Sequence, residues 1–297
     1  MKPAPFSYHR PTATDEAADL LSSLGDDAKV IAGGQSLLPI MNMRLAEPSD
    51  LIDLTAVRAL RTAEVQRSST RYGATVTHMM FEDQLVADAT GGLLQHAAAG
   101  IGYRAIRTRG TLGGSLAHAD SAAEWPTVMT ALNARVIARS VRGRREIAVR
   151  DLLQGFFTTT LDPDEFIEAV DVDHLSSATW WGMYKTNKKV GEFAESMAVI
   201  TASRTDNGEL IIPEIWLGAA RDVPVQLTTT AAAVDGQHPE KLSVDDLRPL
   251  VANDIGADPH DQDVAARHHL QLHAVTVLRA LRTMRKADGD DRRDHHS

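Results

Sequence analysis

The sequence predicts an α+β protein, and three observations support this fold class. Helix-like and strand-like segments are interleaved from the start of the chain, without a regular strand–helix–strand alternation. Short strand patterns separated by polar turns follow one another between about residues 128 and 175. A long helical pattern begins near residue 261, and no internal repeat of about 20 to 50 residues is present.

The first half of the chain contains helices and several short strands. Residues 14–24 have an apolar stripe at helical spacing, and Gly25 ends this pattern. Residues 81–99 are rich in alanine and leucine, which predicts a further helix. Short apolar runs predict strands at residues 28–32, 51–54 and 71–76.

The second half predicts a domain boundary. Strand patterns occupy residues 136–138, 145–149, 166–172 and 214–219, and residues 261–286 form a long helix with one apolar face. Ser176 and Ser177 interrupt the strand pattern. We therefore expect one domain over residues 1–176 and a second over residues 177–286. Residues 287–297 are charged and poor in apolar side chains, which predicts a disordered tail.

The composition excludes several classes of protein. The net charge of −9, from 40 acidic and 31 basic residues, argues against nucleic acid as the main partner. The run of arginines at residues 142–145 is short and predicts a solvated turn between strands. No apolar run is long enough to span a membrane, and the N-terminus has no signal-peptide pattern, so a cytoplasmic location is expected.

The chain contains no cysteine. A thiolate nucleophile and a cysteine-ligated iron–sulfur cluster are therefore impossible within it. If the protein takes part in a redox chain, any such cluster must lie on another polypeptide.

Two glycine loops are the main candidates for a binding site. Ala32, Gly33, Gly34, Gln35, Ser36 and Leu37 follow a predicted strand, and Thr111, Leu112, Gly113, Gly114 and Ser115 form the second loop. Adjacent glycines permit positive φ and remove Cβ atoms, so that consecutive backbone N–H groups can converge on an anion. Each pair is also consistent with a simple tight turn. The sequence contains two such loops about 80 residues apart. With two loops, a shared dinucleotide-binding site and a pair of simple tight turns are about equally favoured.

Other candidate motifs are weaker and indicate no catalytic residue and no metal site. Residues 100–105 match a dinucleotide-binding G-x-G-x-x-A pattern, but a helix-like segment precedes them where a strand is required. His269 and His273 are spaced as metal ligands on a helix, yet no third ligand is near them in sequence. Asp120 and Glu124 form an acidic pair without a nucleophile to activate.

The strings AGGQSLLPIMNMRLAEPSDLIDL at residues 32–54 and IRTRGTLGGSLAHADSAAEWP at residues 106–126 carry a specific resemblance. They are similar to the medium, FAD-binding subunits of the xanthine dehydrogenase and carbon monoxide dehydrogenase family of molybdenum hydroxylases. The resemblance extends over nearly the whole chain. It implies a vanillyl-alcohol-oxidase-like FAD-binding domain with subdomains at about residues 1–55 and 56–176. A small antiparallel sheet with helices is expected to follow.

The resemblance also implies partners and a role. Family members act with a large molybdopterin subunit and a small subunit carrying two [2Fe–2S] clusters, in an assembly expected to be a dimer of heterotrimers. Electrons pass from these partners through FAD to an external acceptor. The substrate binds the large subunit, so this chain does not identify it among N-heterocycles, aldehydes and carbon monoxide.

Site residues are carried over position by position from the resemblance. The two loops are expected to surround the FAD pyrophosphate and ribityl chain. Asp120 and Glu124 match acidic positions near the flavin nucleotide, although Glu124 stands where the family usually has aspartate. Ile167 falls where an aliphatic residue touches the cofactor, or is simply a core strand residue. Lys185 matches a position close to the isoalloxazine ring, where a cation would stabilise the reduced flavin.

Two other functions remain open at this stage. One is a stand-alone flavin oxidase or reductase that uses the same loops. The other is an interaction subunit that keeps the fold but binds no FAD.

Overall fold

The computed structural model describes residues 2–287, and the N-terminal part of this range forms a small parallel sheet. Its strands are β1 (Ser7–His9), β2 (Ala28–Ile31) and β3 (Asp50–Asp53), and its helices are α1 (Thr14–Leu24) and α2 (Leu37–Asn42). The strand order is β1-β3-β2, and both pairings are parallel. Parallel pairing requires crossovers, which α1 and α2 supply. The sequence predicted α1, β2 and β3, but not β1, α2 or the parallel arrangement.

A second, antiparallel sheet follows two short 3-10 helices at Leu54–Ala56 and Arg58–Arg61. The strands of this region are β4 (Ala63–Val65), β5 (Ser69–Gly73), β6 (Arg135–Ser140), β7 (Gly143–Ala148), β8 (Leu153–Gly155), β9 (Thr158–Thr159) and β10 (Phe166–Asp173). The sheet order is β4-β5-β10-β6-β7, while β8 and β9 form a separate hairpin. The strands predicted at residues 136–138, 145–149 and 166–172 are confirmed within two residues at each end, whereas the one predicted at residues 71–76 lies at residues 69–73.

The run of arginines at residues 142–145 is more structured than predicted. Arg142 lies in the turn before β7, whereas Arg144 and Arg145 lie on that strand. Their guanidinium groups donate to Glu168 and Glu165, at 2.5 Å and 2.7 Å. The run therefore ties β7 to residues at the start of β10.

Short helices follow in this part of the chain. They are α3 (His78–Glu82), α4 (Leu93–Ala99), α5 (Arg104–Arg107), α6 (Leu112–His118), α7 (Glu124–Ala131) and α8 (Val149–Leu152). Of these, α6 and α8 pack against the second sheet, and α4 and α7 pack against the sheet of the C-terminal part of the chain. The prediction of one helix over residues 81–99 was wrong. The chain leaves the helix after Glu82, and Gly91 and Gly92 both have positive φ, which interrupts a continuous helix.

The C-terminal part forms a third, antiparallel sheet with three helices in the described chain. Its elements are β11 (Trp180–Thr186), β12 (Ser196–Arg204), β13 (Leu210–Gly218), β14 (Val225–Gln226), α9 (Thr228–Val234), α10 (Val244–Ile255), α11 (Val264–Arg282) and β15 (Arg285–Lys286). The sheet order is β14-β13-β12-β11-β15. The long helix thus ends at Arg282, and residues 285–286 return as an edge strand.

Ala287 does not belong to a disordered tail. It is 6% exposed, and its backbone N–H donates to the Thr179 carbonyl oxygen at 2.8 Å. This contact with the residue just before β11 is long-range, so local composition does not reveal it. The rest of the predicted tail, residues 288–297, lies outside the described residues.

The largest hydrophobic core extends across the predicted boundary at residue 176. Trp125 and Met129 of α7 belong to the same buried cluster as Met197 and Val199 of β12. Gly218 of β13 lies against α7, since a Cβ atom there would be 2.1 Å from the Thr127 hydroxyl oxygen. The two sides of residue 176 are therefore packed together. Within residues 2–287, no helix is both long and apolar enough to cross a membrane.

Candidate functional site

A cavity of about 500 Å³ lies between the N-terminal sheet, helix α6 and the start of β10. A cavity of this size is within the usual range for small-molecule sites. Every predicted cofactor-binding residue except Lys185 contributes to its wall: Ala32, Gly33, Gly34, Gln35, Ser36, Leu37, Thr111, Gly113, Gly114, Ser115, Asp120, Glu124 and Ile167. Ile167 is 3% exposed and also belongs to the core, so both interpretations of this residue are compatible with its position.

The first glycine loop presents unpaired backbone donors. Gly34 has a φ of +70°, as the anion-binding geometry requires, but Gly33 does not have positive φ. Gly33 instead allows close approach, because a Cβ atom there would lie 2.3 Å from the carbonyl oxygen of Arg109. Within residues 2–287, the backbone N–H groups from Gly33 to Ser36 have no acceptor. These consecutive donors are available to an anion.

The second glycine loop has a different structure from the one predicted. Gly113 and Gly114 lie inside α6, and neither has positive φ. The N–H of Gly113 donates to the Ala74 carbonyl oxygen at 3.0 Å, and that of Gly114 to the Thr111 hydroxyl oxygen at 3.1 Å. A Cβ atom at Gly113 would be 2.5 Å from that of Ala74. The glycines of this loop therefore allow α6 to pack closely against Ala74, and their N–H groups are not available to an anion.

The chemistry of the cavity fits FAD. Apolar side chains such as Ile31, Leu37 and Ile106 line much of it, and these suit the flavin and adenine rings. Lys29 is the single lysine or arginine in the cavity wall among residues 2–287. A pyrophosphate here would thus depend mainly on the backbone donors of the first loop.

Glu124 and Lys185 form a buried ion pair at one side of the cavity. The Lys185 ammonium donates to Glu124 Oε1 at 2.6 Å, and to the carbonyl oxygens of Gly100 and Glu192 at 2.8 and 3.0 Å. Burial raises the pKa of Glu124, and the neighbouring Lys185 opposes this shift. Lys185 itself lies behind Glu124, outside the cavity wall. Its direct contact with the flavin ring stays a prediction.

Asp120 stands at the start of the turn that leads to Glu124. Its carboxylate accepts a hydrogen bond from the Ala122 N–H at 2.9 Å, and the residue is 8% exposed. Its negative charge contributes to the raised pKa of Glu124. Both acids line the cavity, and their proximity to the flavin nucleotide stays a prediction.

Several residues that were not predicted also line the cavity. They include His78, Gly110, His118 and Phe193. Gly110 adjoins the second loop, and this proximity in sequence was a usable signal. His78 and Phe193 come from distant segments without a motif, so only the fold brings them to the cavity.

In the described residues, the histidine pair and the G-x-G-x-x-A string lack the surroundings that a metal site or a dinucleotide fingerprint requires, whereas the acidic pair lines the cavity. His273 is buried and its Nδ1 lies 2.8 Å from the Ser196 hydroxyl oxygen, and residues 2–287 contain no cluster of three potential metal ligands. Residues 100–103 connect α4 to α5, and residues 104–105 begin α5, so a helix stands where a dinucleotide-binding fingerprint needs a strand.

Comparison with known proteins gives a consistent result. Residues 4–173 match the family described as "FAD binding domain in molybdopterin dehydrogenase". The chain is 33% identical to subunit alpha of the 6-hydroxypseudooxynicotine dehydrogenase complex of Paenarthrobacter nicotinovorans, covering 97% of this chain and 96% of the relative. It is 41% identical to the nicotine 6-hydroxylase medium subunit of the same organism, covering 70% and 72%. Among solved structures, carbon monoxide dehydrogenase from Hydrogenophaga pseudoflava is similar at a TM-score of 0.84 and 28% identity, covering 95% of this chain and 98% of the other.

Proposed function

Since the chain belongs to the family of FAD-binding medium subunits of the molybdenum hydroxylases, it is an oxidoreductase subunit that binds FAD and transfers electrons, and we propose that its FAD lies in the cavity between the two glycine loops. The observation that supports this placement is the row of free N–H groups from Gly33 to Ser36, facing a largely apolar cavity. When bound, FAD supplies reversible electron transfer between an internal donor and an external acceptor.

Each part of the cavity then has a role toward the cofactor. The loop at residues 32–37 donates backbone N–H groups to the pyrophosphate, and residues 111–115 pack closely beside it. Asp120 and Glu124 approach the flavin nucleotide, and Ile167 packs against the cofactor. Lys185 acts through Glu124, because its ammonium bonds directly to that carboxylate. The ion pair fixes the position of the Glu124 side chain.

The partners proposed are a large molybdopterin subunit and a small iron–sulfur subunit, assembled as a dimer of heterotrimers in the cytoplasm. Two relatives support a multi-subunit assembly, since one is named as a complex subunit and the other as a medium subunit. The zero cysteine count supports cluster ligation on another chain. Substrate selection would then be a property of the large subunit. We also propose domains at residues 1–176, divided near residue 55, and 177–286.

The metal and flavin content of the purified native assembly tests this proposal. We expect one FAD for each copy of this chain, together with molybdenum and iron on co-purifying subunits. A yellow flavoprotein without molybdenum or iron would contradict the proposed partners and favour a stand-alone flavin enzyme. A colourless protein would contradict FAD binding.

The electron-transfer role has a separate test. In the variant Gly114→Val, a side chain would crowd the Thr111 hydroxyl, which is already 2.8 Å from an ideal Cβ atom, and flavin binding should be lost. In the assembled complex, substrate should still bleach the iron–sulfur absorbance under anaerobic conditions, while turnover with the external acceptor stops. Loss of bleaching in a complex with all its metals would mean that this chain participates in substrate oxidation.

A further inference from the structure

His78 is a buried histidine whose protonation pattern is fixed by its neighbours. It is 5% exposed, and its Nδ1 accepts a hydrogen bond from the Trp125 indole Nε1–H at 2.9 Å. Tryptophan can only donate, so Nδ1 carries no proton. Its neutral imidazole must therefore carry the hydrogen on Nε2. The indole of Trp125 is fully buried, so this arrangement is rigid.

The Nε2–H of His78 has no partner in the part of the chain that the structure describes. The imidazole belongs to the cavity wall. Nε2 is not one of the fully buried side-chain atoms without a partner in residues 2–287, so this N–H is accessible from the cavity, where a ligand or water can accept its hydrogen bond. Burial also lowers the pKa of His78 to about 3, with a further contribution from the nearby Arg107. The group is thus a neutral donor rather than a cation.

Nε2 lies where the two glycine loops meet. A Cβ atom on Gly110 would be 2.6 Å from Nε2, and one on Gly33 would be 2.8 Å from the Gly110 Cα atom. The backbone N–H of His78 also donates to the Gly110 carbonyl oxygen at 3.0 Å, which holds the imidazole in this place. The imidazole edge, Gly110 and Gly33 are therefore stacked against one another. The imidazole edge is thus in packing contact with the first loop through Gly110.

We propose that His78 is a cofactor-binding residue whose Nε2–H donates a hydrogen bond to a pyrophosphate oxygen of FAD, with Trp125 fixing the tautomer that makes this possible. The proposal rests on the placement of FAD between the glycine loops. A charged phosphate oxygen is a strong acceptor for such a donor. Trp125 is then a positioning residue, since it acts only through the imidazole.

Substitution of His78 tests the hydrogen bond directly. His78→Leu removes the donor, whereas His78→Gln keeps an amide N–H and an acceptor for Trp125. The purified protein, with its partners, is stripped of flavin and titrated with FAD and, separately, with ADP as a probe for the pyrophosphate half. We expect a roughly 10- to 100-fold increase in both dissociation constants for the leucine variant. The glutamine variant should stay within about threefold of the wild type, by the same reasoning.

His273→Leu is the matched control, because His273 is equally buried but bonds to Ser196 outside the FAD cavity. It should leave both dissociation constants unchanged. Trp125→Phe should weaken FAD binding less than His78→Leu, since the donor remains but its tautomer is no longer fixed. Wild-type affinity in a folded His78→Leu protein would overturn the proposal. So would a loss of FAD affinity without a loss of ADP affinity, which would place the acceptor elsewhere on the cofactor.

A structure of the FAD-bound protein provides a test that does not depend on how the variants fold. The Nε2 atom should lie at hydrogen-bond distance, about 2.7 to 3.2 Å, from a pyrophosphate oxygen. A longer separation, with FAD seated between the loops, would refute the role of His78 alone. FAD bound outside this cavity would instead refute the proposed function.

Discussion

Lys185→Met is the substitution whose effect follows most directly from the structure. Methionine keeps much of the length and volume of the side chain but removes its charge and its three hydrogen bonds. The side chains of Lys185 and Glu124 are 12% and 4% exposed, so Glu124 would become an uncompensated buried charge. Breaking a buried pair on one side costs about 3 to 5 kcal/mol of folding free energy. FAD occupancy should also fall, because Glu124 lines the cavity.

The pH dependence of that cost has a definite sign. Burial raises the pKa of Glu124 above its usual value of 4.5, and Lys185 opposes this shift. Without Lys185, native Glu124 binds a proton more readily than unfolded Glu124. Stability is then retained at low pH and lost as the pH rises through the folded-state pKa, so the variant should be less destabilised at about pH 5 than at about pH 8.

Urea and thermal unfolding, with bound flavin measured on the same samples, provide the assay. Adding Glu124→Gln should recover part of the lost stability and remove most of the pH dependence, since no buried charge remains. Lys188→Met is the matched control. Its ion pair with Glu195 is 3.4 Å long and the lysine is 76% exposed, so about 1 kcal/mol or less is expected. Equal effects of the two lysine substitutions would refute the argument from burial.

Three further predictions follow from individual residues. Gly33→Ala should destabilise the protein by about 1 to 3 kcal/mol and reduce flavin binding, because its Cβ atom would lie 2.3 Å from the Arg109 carbonyl oxygen. Gly155→Ala, with open space around it, should do neither. Equal melting temperatures of the two variants would contradict this prediction. Burial lowers the pKa of His273 to about 4, below its unfolded value. The free energy of unfolding should therefore fall by up to roughly 3 kcal/mol as the pH drops from about 6.5 towards 4. Urea titrations at several pH values should show that His273→Gln removes this sensitivity. Acid precipitation should release all flavin, because the chain has no cysteine and neither glycine loop contains a histidine. Flavin retained on any peptide, including those with the cavity-lining His78 and His118, would contradict it.

The sequence by itself determined the features that depend on short stretches of chain. The helix at residues 14–24 has a continuous apolar stripe and a glycine at its end, and the structure has the same bounds. The two glycine loops were identifiable because turn chemistry is encoded in adjacent residues. Both loops line one cavity, although their assignment to FAD stays a prediction. The fold class followed from the spacing of these elements, and the family followed from the residues around the loops.

The tertiary structure decided what each glycine does and which distant residues join the site. The sequence treated the two pairs as alike, but only Gly34 has positive φ, because the second pair was incorporated into helix α6. Contacts across the chain are decided by packing and leave no local pattern. Trp125 fixes His78 from 47 residues away, and Lys185 reaches Glu124 from 61 residues away. Such pairs become visible only when sheets and helices have brought their backbones together, since the burial that gives them their energy does not exist in the unfolded chain.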